Sequence, residues 1–281
     1  MSAAERMSPT RPGGVTRRLL TAHAWLVYLF FYAPIAVLIV LSFNQNRMVG
    51  IWQGFTLDWY AQMLDNTAVL RAIRNSLMVA AISTVVATVL GTAAALSLER
   101  YRFRGRSAFD SVLYLPVIVP DVTMAVMMLL FFVRAADALF VASGARVGLG
   151  ISTIAISHIA FNISYVAIIV RARLAGMDPV LEEAAADLYA GRWQTFRRVT
   201  LPQLMPGVLG GALLALTLSL DDVVITSFVS GPGSTTLPVY VFGLVRRGVT
   251  PLINAVSTVM LVASMVLVAA SLLLQRRRAE P

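Results

Sequence analysis

Cysteine is absent from the 281 residues, and so is lysine. The first absence excludes disulfides and thiol chemistry. The second excludes a phosphate-binding loop of the G-x-x-x-x-G-K-[ST] kind, whose lysine holds the β- and γ-phosphates, so no ATPase site is expected in this chain. Histidine is nearly missing as well. His23 and His158 lie far apart and lack the cysteine or histidine neighbours of a zinc site. No G-x-S-x-G turn presents a nucleophilic serine. No catalytic residue, metal or cofactor is therefore expected, and any driven process has to draw on another polypeptide or on an ion gradient. Charge is scarce too, at 13% of residues, and neither an internal repeat nor an interdomain linker is evident.

What fills the space is apolar. Hydrophobic residues make up 58% of the chain and the mean hydropathy is +0.77, outside the range of soluble domains. A helix crosses the ~30 Å hydrocarbon layer with roughly 20 apolar residues. Six segments meet that length: 23–43, 76–98, 111–133, 148–170, 203–230 and 252–274. Strand-type alternation is missing, which argues against a β-barrel. The expectation is an all-α polytopic protein with six transmembrane helices. Residues 1–22 are expected to form a disordered cytoplasmic tail, 23–274 the transmembrane domain, and 275–281 a basic cytoplasmic tail. The first span is longer than a signal-peptide core and reads as an uncleaved anchor.

The net charge of +9 is an arginine charge. Arginines cluster before the first span, between the second and third, between the fourth and fifth, and after the sixth, with fewer on the other side. This bias predicts that both termini and the loop between the fourth and fifth spans face the cytoplasm, and the charge needs no nucleic acid to explain it. Two spans carry small residues every fourth position: Ser83, Ala87, Gly91 and Ala95, then Gly207, Gly211, Ala215 and Ser219. Such stripes let helix backbones approach closely in lipid.

Three carboxylates fall inside the spans, and no arginine does. An ionised Asp at the bilayer centre costs at least ~2.5 kcal/mol, so each points to a pathway. Asp121 is placed about 15 Å into the third span, after Pro116 and Pro120, which predict a kink or break. Asp221 and Asp222 are placed about 22 Å from the inner boundary. With His158 and Tyr165 of the fourth span they form the candidate substrate pathway. Acids without partners suit a cation.

One long internal loop, about 174–202, is polar. Asp178-Pro179 reads as an N-cap and first-turn proline, and Glu182 and Glu183 suit the positive end of a short helix. Leu181, Ala184, Ala185 and Leu188 give it a narrow apolar face fit for a cleft on a partner. The order Glu183-Ala184-Ala185, Phe196, Leu201-Pro202 resembles the cytoplasmic coupling loop of bacterial ABC importer permeases. The broad family has glycine six residues after the Glu, where this chain has Tyr189. A bulky residue tolerates positive φ poorly, so either Gly191 takes over the turn or the turn is built differently.

Further matches are to spermidine/putrescine permeases: Ser219-Leu220-Asp221-Asp222, the run Phe228–Pro238, Arg246–Pro251, Tyr101–Gly105, Leu115-Pro116 and Val170–Leu174. The resemblance implies a type I ABC importer permease fold, with Glu182, Glu183, Ala184, Ala185, Tyr189, Gly191, Phe196, Leu201 and Pro202 coupling it to an ATPase. It also implies the partners: a second permease, two ATP-binding cassette subunits and a periplasmic polyamine-binding protein. Arg246 and Arg247 would meet acids on that binding protein or tether Asp222. The alternatives are an importer of another small cationic or metal-bound solute, a secondary transporter using the acids as proton relays, and a purely structural membrane subunit. The docking loop argues against the second, and the unpaired acids against the third.

Overall fold

The computed structural model describes residues 14–46, 50–246, 248 and 250–279. In chain order the helices are α1 (Gly14–Leu41), α2 (Asp58–Asp65), α3 (Thr67–Arg100), α4 (Arg106–Ile118), α5 (Asp121–Ser143) and α6 (Ile151–Ala175). There follow α7 (Val180–Asp187), α8 (Arg192–Thr195), α9 (Leu201–Asp221), α10 (Val224–Val229), α11 (Leu237–Val245) and α12 (Pro251–Ala279). A π-helical turn, Phe196–Thr200, joins α8 to α9. Among the described residues the one extended pairing is an isolated bridge between Asn44 and Phe55. The expected all-α class is what the chain adopts.

Five helices are long and apolar enough to span a membrane: α1, α3, α5, α6, and α9 with the segment leading into it. The sixth expected span falls on α12, whose apolar stretch covers Pro251–Val266 among the described residues. The expected tail, 1–22, lies outside the described residues up to 13, and from Gly14 onward the chain is already helical. The basic tail likewise continues α12 as far as Ala279.

Two spans differ from expectation. The third does not run through 111–133: α4 stops at Ile118, Val119 is extended, and α5 starts at Asp121. Proline is the cause, because Pro120 disfavours the helical conformation at Val119 and has no N–H to give. The spanning helix is therefore Asp121–Ser143, shifted ten residues along the chain, and Asp121 opens it instead of lying inside it. The fifth span is not continuous either. It breaks at Asp222-Val223 and resumes as the short α10.

The core is a three-helix seam with α6 in the middle. All eight small residues of the two stripes are buried, and they face α6 from the two flanking helices. A Cβ on Gly91 would stand 2.8 Å from the Ile163 carbonyl oxygen, and one on Gly211 would stand 3.2 Å from a Val166 methyl. Gly91 and Gly211 thus bracket Val166, and Ser83 and Ser219 share a 2.9 Å hydrogen bond two levels along. The partner of both stripes is in this chain. Leu98, Val166, Val170 and Leu204 complete the apolar packing toward one end of the seam.

The two ends of the seam differ in character. At one end the polar loop meets the C-terminal ends of α3 and α6 and the starts of α4 and α9. Arg171 donates to Glu99 at 2.8 Å, pairs with Asp110 and lies over the Tyr114 ring, and Arg173 donates to the Gln203 carbonyl at 3.0 Å. At the other end the 230–236 loop closes over the seam. Asn75 donates to the carbonyls of Gly233 and Thr235, both at 3.0 Å, and Ser76 accepts from Leu237 N–H at 2.8 Å. Gly231 lies so close to the neighbouring backbone that a Cβ would stand 1.9 Å from the Leu149 oxygen.

Candidate functional site

Both breaks open onto one cavity of about 390 Å³. Asp121, Asp221, Asp222 and Tyr165 line it, with Pro116 at the end of α4 and Phe161 and Thr217 on the walls. The three acids, separated by a hundred residues of sequence, are thus brought together in one cavity, and Tyr165 with them. A helix end carries about half a unit charge, positive at the N-terminus and negative at the C-terminus, and this sorts the acids.

Asp222 caps α10. Its carboxylate accepts from Ile225 N–H at 3.3 Å, and from the Thr226 N–H and hydroxyl at 2.7 Å each. His158 Nε2 approaches the same oxygen at 3.3 Å. Asp121 occupies the first turn of α5, where a carboxylate is favoured by the helix dipole, but it makes no capping bond. Asp221 is the last residue of α9, the end where a negative charge is disfavoured. Neither Asp121 nor Asp221 has a hydrogen bond or ion pair among the described residues. The cavity therefore holds one engaged carboxylate and two free ones.

His158 does not line the cavity. It is fully buried behind Asp222, with Nδ1 2.7 Å from the Ser219 hydroxyl and Nε2 3.0 Å from the Thr226 hydroxyl. Both ring nitrogens are occupied, so it serves as a strut between α6, α9 and α10 rather than as a wall of the pathway. Arg246 does not tether Asp222 either; it stacks over Phe242, 4.6 Å from the ring centroid. Arg247 lies outside the described residues.

The polar loop forms the second surface. Asp178 accepts from Val180 N–H at 3.0 Å, which starts α7 at Val180. Its C-terminus is a complete Schellman closure: Tyr189 N–H bonds the Ala186 carbonyl at 2.9 Å and Ala190 N–H bonds the Ala185 carbonyl at 3.0 Å. That motif needs a left-handed residue between α7 and Ala190, and Tyr189 supplies it at φ +60°. Gly191 is extended at φ −64° and does not take over the turn. The left-handed turn is made here by a residue that resists it.

The consequence is exposure. The Tyr189 side chain is 98% exposed, with Leu188 at 81% and Trp193 at 71% beside it, and Val180 and Leu181 add to the same apolar surface. Trp193 stacks on Phe196 with ring centroids 5.7 Å apart. Ala184 is exposed, Ala185 half-buried, and Leu201 and Pro202 open α9.

The two glutamates divide. Glu183 is exposed and without a partner among the described residues. Glu182 turns inward, accepting from the Arg100 guanidinium and, at 2.6 Å, from the Thr200 hydroxyl. Burial pushes its carboxyl up, but the Thr200 hydroxyl and the Arg100 guanidinium outweigh that and hold it below the ordinary glutamate value. Sequence reasoning did not separate the pair, since adjacent acids look alike until the helix register is known. Nor did it find Arg171 as a hub, although two acids, Glu99 and Asp110, and an arginine at expected helix ends were there to be paired.

Residues 87–279 match the model of the family described as binding-protein-dependent transport system inner membrane component. The putrescine transport system permease protein PotI of Escherichia coli (strain K12) is 44% identical over 237 residues, covering 84% of this chain and 83% of that one. The spermidine/putrescine transport system permease protein PotC of the same strain is 40% identical over 250 residues, covering 89% and 91%. Among solved structures, a chain of a bacterial ABC transporter involved in the import of alginate superposes with a TM-score of 0.76 at 22% identity, covering 95% of this chain and 96% of that one.

Proposed function

The chain belongs to the family of binding-protein-dependent transport system inner membrane components, and from that membership we propose that it forms half of the translocation pathway of an ATP-driven polyamine importer. The observation that carries the substrate class is the pair of free carboxylates, Asp121 and Asp221, at helix ends in one cavity. A carboxylate in a low-dielectric cavity offsets part of the desolvation of an entering ammonium. Asp221 does so most strongly, because the α9 carbonyls add their negative end to its own charge. A flexible diamine or triamine offers ammonium groups to more than one acid, and the names of the relatives agree with that class.

The energy enters at the polar loop. Tyr189, Leu188, Trp193 and Leu181 form an apolar surface flanked by the unpaired Glu183, the composition of an interface centre with a polar edge. We assign it to an ATP-binding cassette subunit, one for each of two permeases, with a periplasmic polyamine-binding protein delivering substrate on the opposite side. Both termini are assigned to the cytoplasm with this loop. Catalysis of ATP hydrolysis belongs to the partner, as this chain has no lysine for a phosphate-binding loop.

Reconstitution tests the reading. The chain alone in liposomes, given a proton gradient and labelled putrescine or spermidine, is expected to accumulate neither. With the ATPase subunits, the second permease and the binding protein, ATP is expected to drive uptake. Accumulation by the chain alone without ATP would overturn the importer reading in favour of a secondary transporter.

A further inference from the structure

We propose that Glu182 is the joint through which movement of α7 is handed to the spanning helices, acting within this chain while Glu183 beside it faces the partner. The proposal rests on the importer reading above.

α7 fully buries none of its residues, and Ala185 is its one half-buried apolar side chain, so its apolar grip on the rest of the molecule is slight. Its firm attachment is one carboxylate. Arg100, which binds it, is the last residue of α3, and Thr200, which binds the same oxygen at 2.6 Å, is the last residue of the π-helical turn before α9. Thr200 itself is fully buried, so its hydroxyl is a fixed post, while Arg100 is partly exposed and swings with α3. A displacement of α7 is thereby applied to the ends of two spanning helices at once.

Each of those helices leads to a place that has to change in transport. α9 ends at Asp221, in the wall of the cavity. α3 is unbroken from Asn75 to Arg100, about 38 Å at 1.5 Å per residue. At its far end Asn75 and Ser76 are bonded to the 233–237 segment, which closes the seam opposite the polar loop. A helix pinned at both ends transmits axial displacement with little loss, whereas a loop absorbs it. Glu182 is thus a positioning residue: it touches neither substrate nor nucleotide.

The test uses the assembled complex, with both permeases, the ATPase subunits and the loaded binding protein, in liposomes. Two quantities are read: substrate transported per ATP hydrolysed, and ATPase subunits retained through a salt wash. Glu182→Gln is expected to retain the subunits and to hydrolyse ATP while transport per ATP falls at least fivefold. Glu183→Gln is expected to do the opposite and lose the subunits. The exchange Arg100→Glu with Glu182→Arg is expected to bring transport per ATP back to within about twofold of native. Should the exchange fail to assemble, Thr200→Val decides, since it removes only the hydroxyl contact: a twofold or larger drop supports the joint, and no drop overturns it. A normal ratio in Glu182→Gln, loss of subunits in that variant, or an assembled exchange that stays uncoupled would each overturn the proposal. If the native complex shows no ATP-driven uptake, the importer reading falls and takes this proposal with it. Native uptake beside a normally coupled Glu182→Gln removes the joint alone.

Discussion

At the residue scale, three aspartates share a cavity but not a role. Asp221→Asn and Asp121→Asn remove a free charge and leave every bond of the fold in place, so assembly and thermal midpoint should stay native while uptake falls. A contact at 4 Å and an effective dielectric of about 20 gives up to ~4 kcal/mol before desolvation, and a third of that is about tenfold in rate. Asp221→Asn should lose the most. Asp222→Ala is expected to act differently, removing the α10 cap and stranding the buried His158 and Thr226, for about 1–3 kcal/mol of stability. Uptake per folded complex, measured in vesicles beside thermal unfolding, separates the two behaviours; native uptake in both asparagine variants would remove the acids from the pathway. Tyr189 is the other special residue. Tyr189→Gly should relax a left-handed position that costs a bulky residue roughly 1–3 kcal/mol, slowing protease cleavage of the isolated permease in this loop. The same change should weaken retention of the ATPase subunits, because the exposed ring goes with it. Glu182 adds a pH signature. A carboxyl held below its ordinary value contributes stability above the unfolded value and loses it as pH falls through the folded one. The gap in thermal midpoint between native and Glu182→Gln should therefore be constant from pH 8 to about 5.5, begin to narrow near the ordinary glutamate value of about 4.3, and close only below the lowered folded value.

At the scale of elements, what was legible in the sequence followed from period and composition. The small-residue stripes of α3 and α9 were visible as four-residue spacings, and the α7 loop as a polar interval in an apolar chain. What was hidden depended on where apolar runs stop being helices. Residues 111–133 read as one span because Leu115, Val117, Ile118 and Val119 are apolar, yet Pro120 stops the helix and Asp121 restarts it. Likewise Asp222 reads as an intramembrane acid, whereas in the structure it is the N-cap of α10; an acid inside an apolar run is itself a stop-and-restart signal. His158 was misplaced in the pathway because buried polar groups look alike in sequence whether they face a cavity or strut it. The 230–236 loop has its own constraint. Gly231→Ala would drive a methyl into the Leu149 carbonyl, backbone against backbone, with no flexible neighbour to yield. We expect a loss of about 1–3 kcal/mol and a lower yield of folded permease, whereas Gly233→Asn, at φ +77° with open space around it, should be tolerated. Thermal unfolding of the two purified variants checks this, and equal midpoints would contradict it.

At the scale of the whole molecule, the seam orders everything else. α3, α6 and α9 form the packed unit, the polar loop sits at one end, and the 230–236 loop at the other. In the orientation proposed above, the loop end and both termini face the cytoplasm. A reporter active only in the cytoplasm should therefore be on when fused after Ala279 or inserted at Gly191, and off when inserted at Gly144. The opposite pattern would invert the topology and separate the loop from any cytoplasmic ATPase. The seam also has a consequence in time. Because Gly91, Gly211 and the alanines between their levels bring three backbones together without side chains to re-rotamer, the unit has few soft degrees of freedom. Its amides are placed to exchange with solvent only on rare global opening, whereas those of α7, with no buried residue, exchange on local fraying. The molecule thus carries a slow clock at its centre and a fast one at its docking edge, and a partner that slowed the fast one would be felt first as protection spreading inward from residue 180.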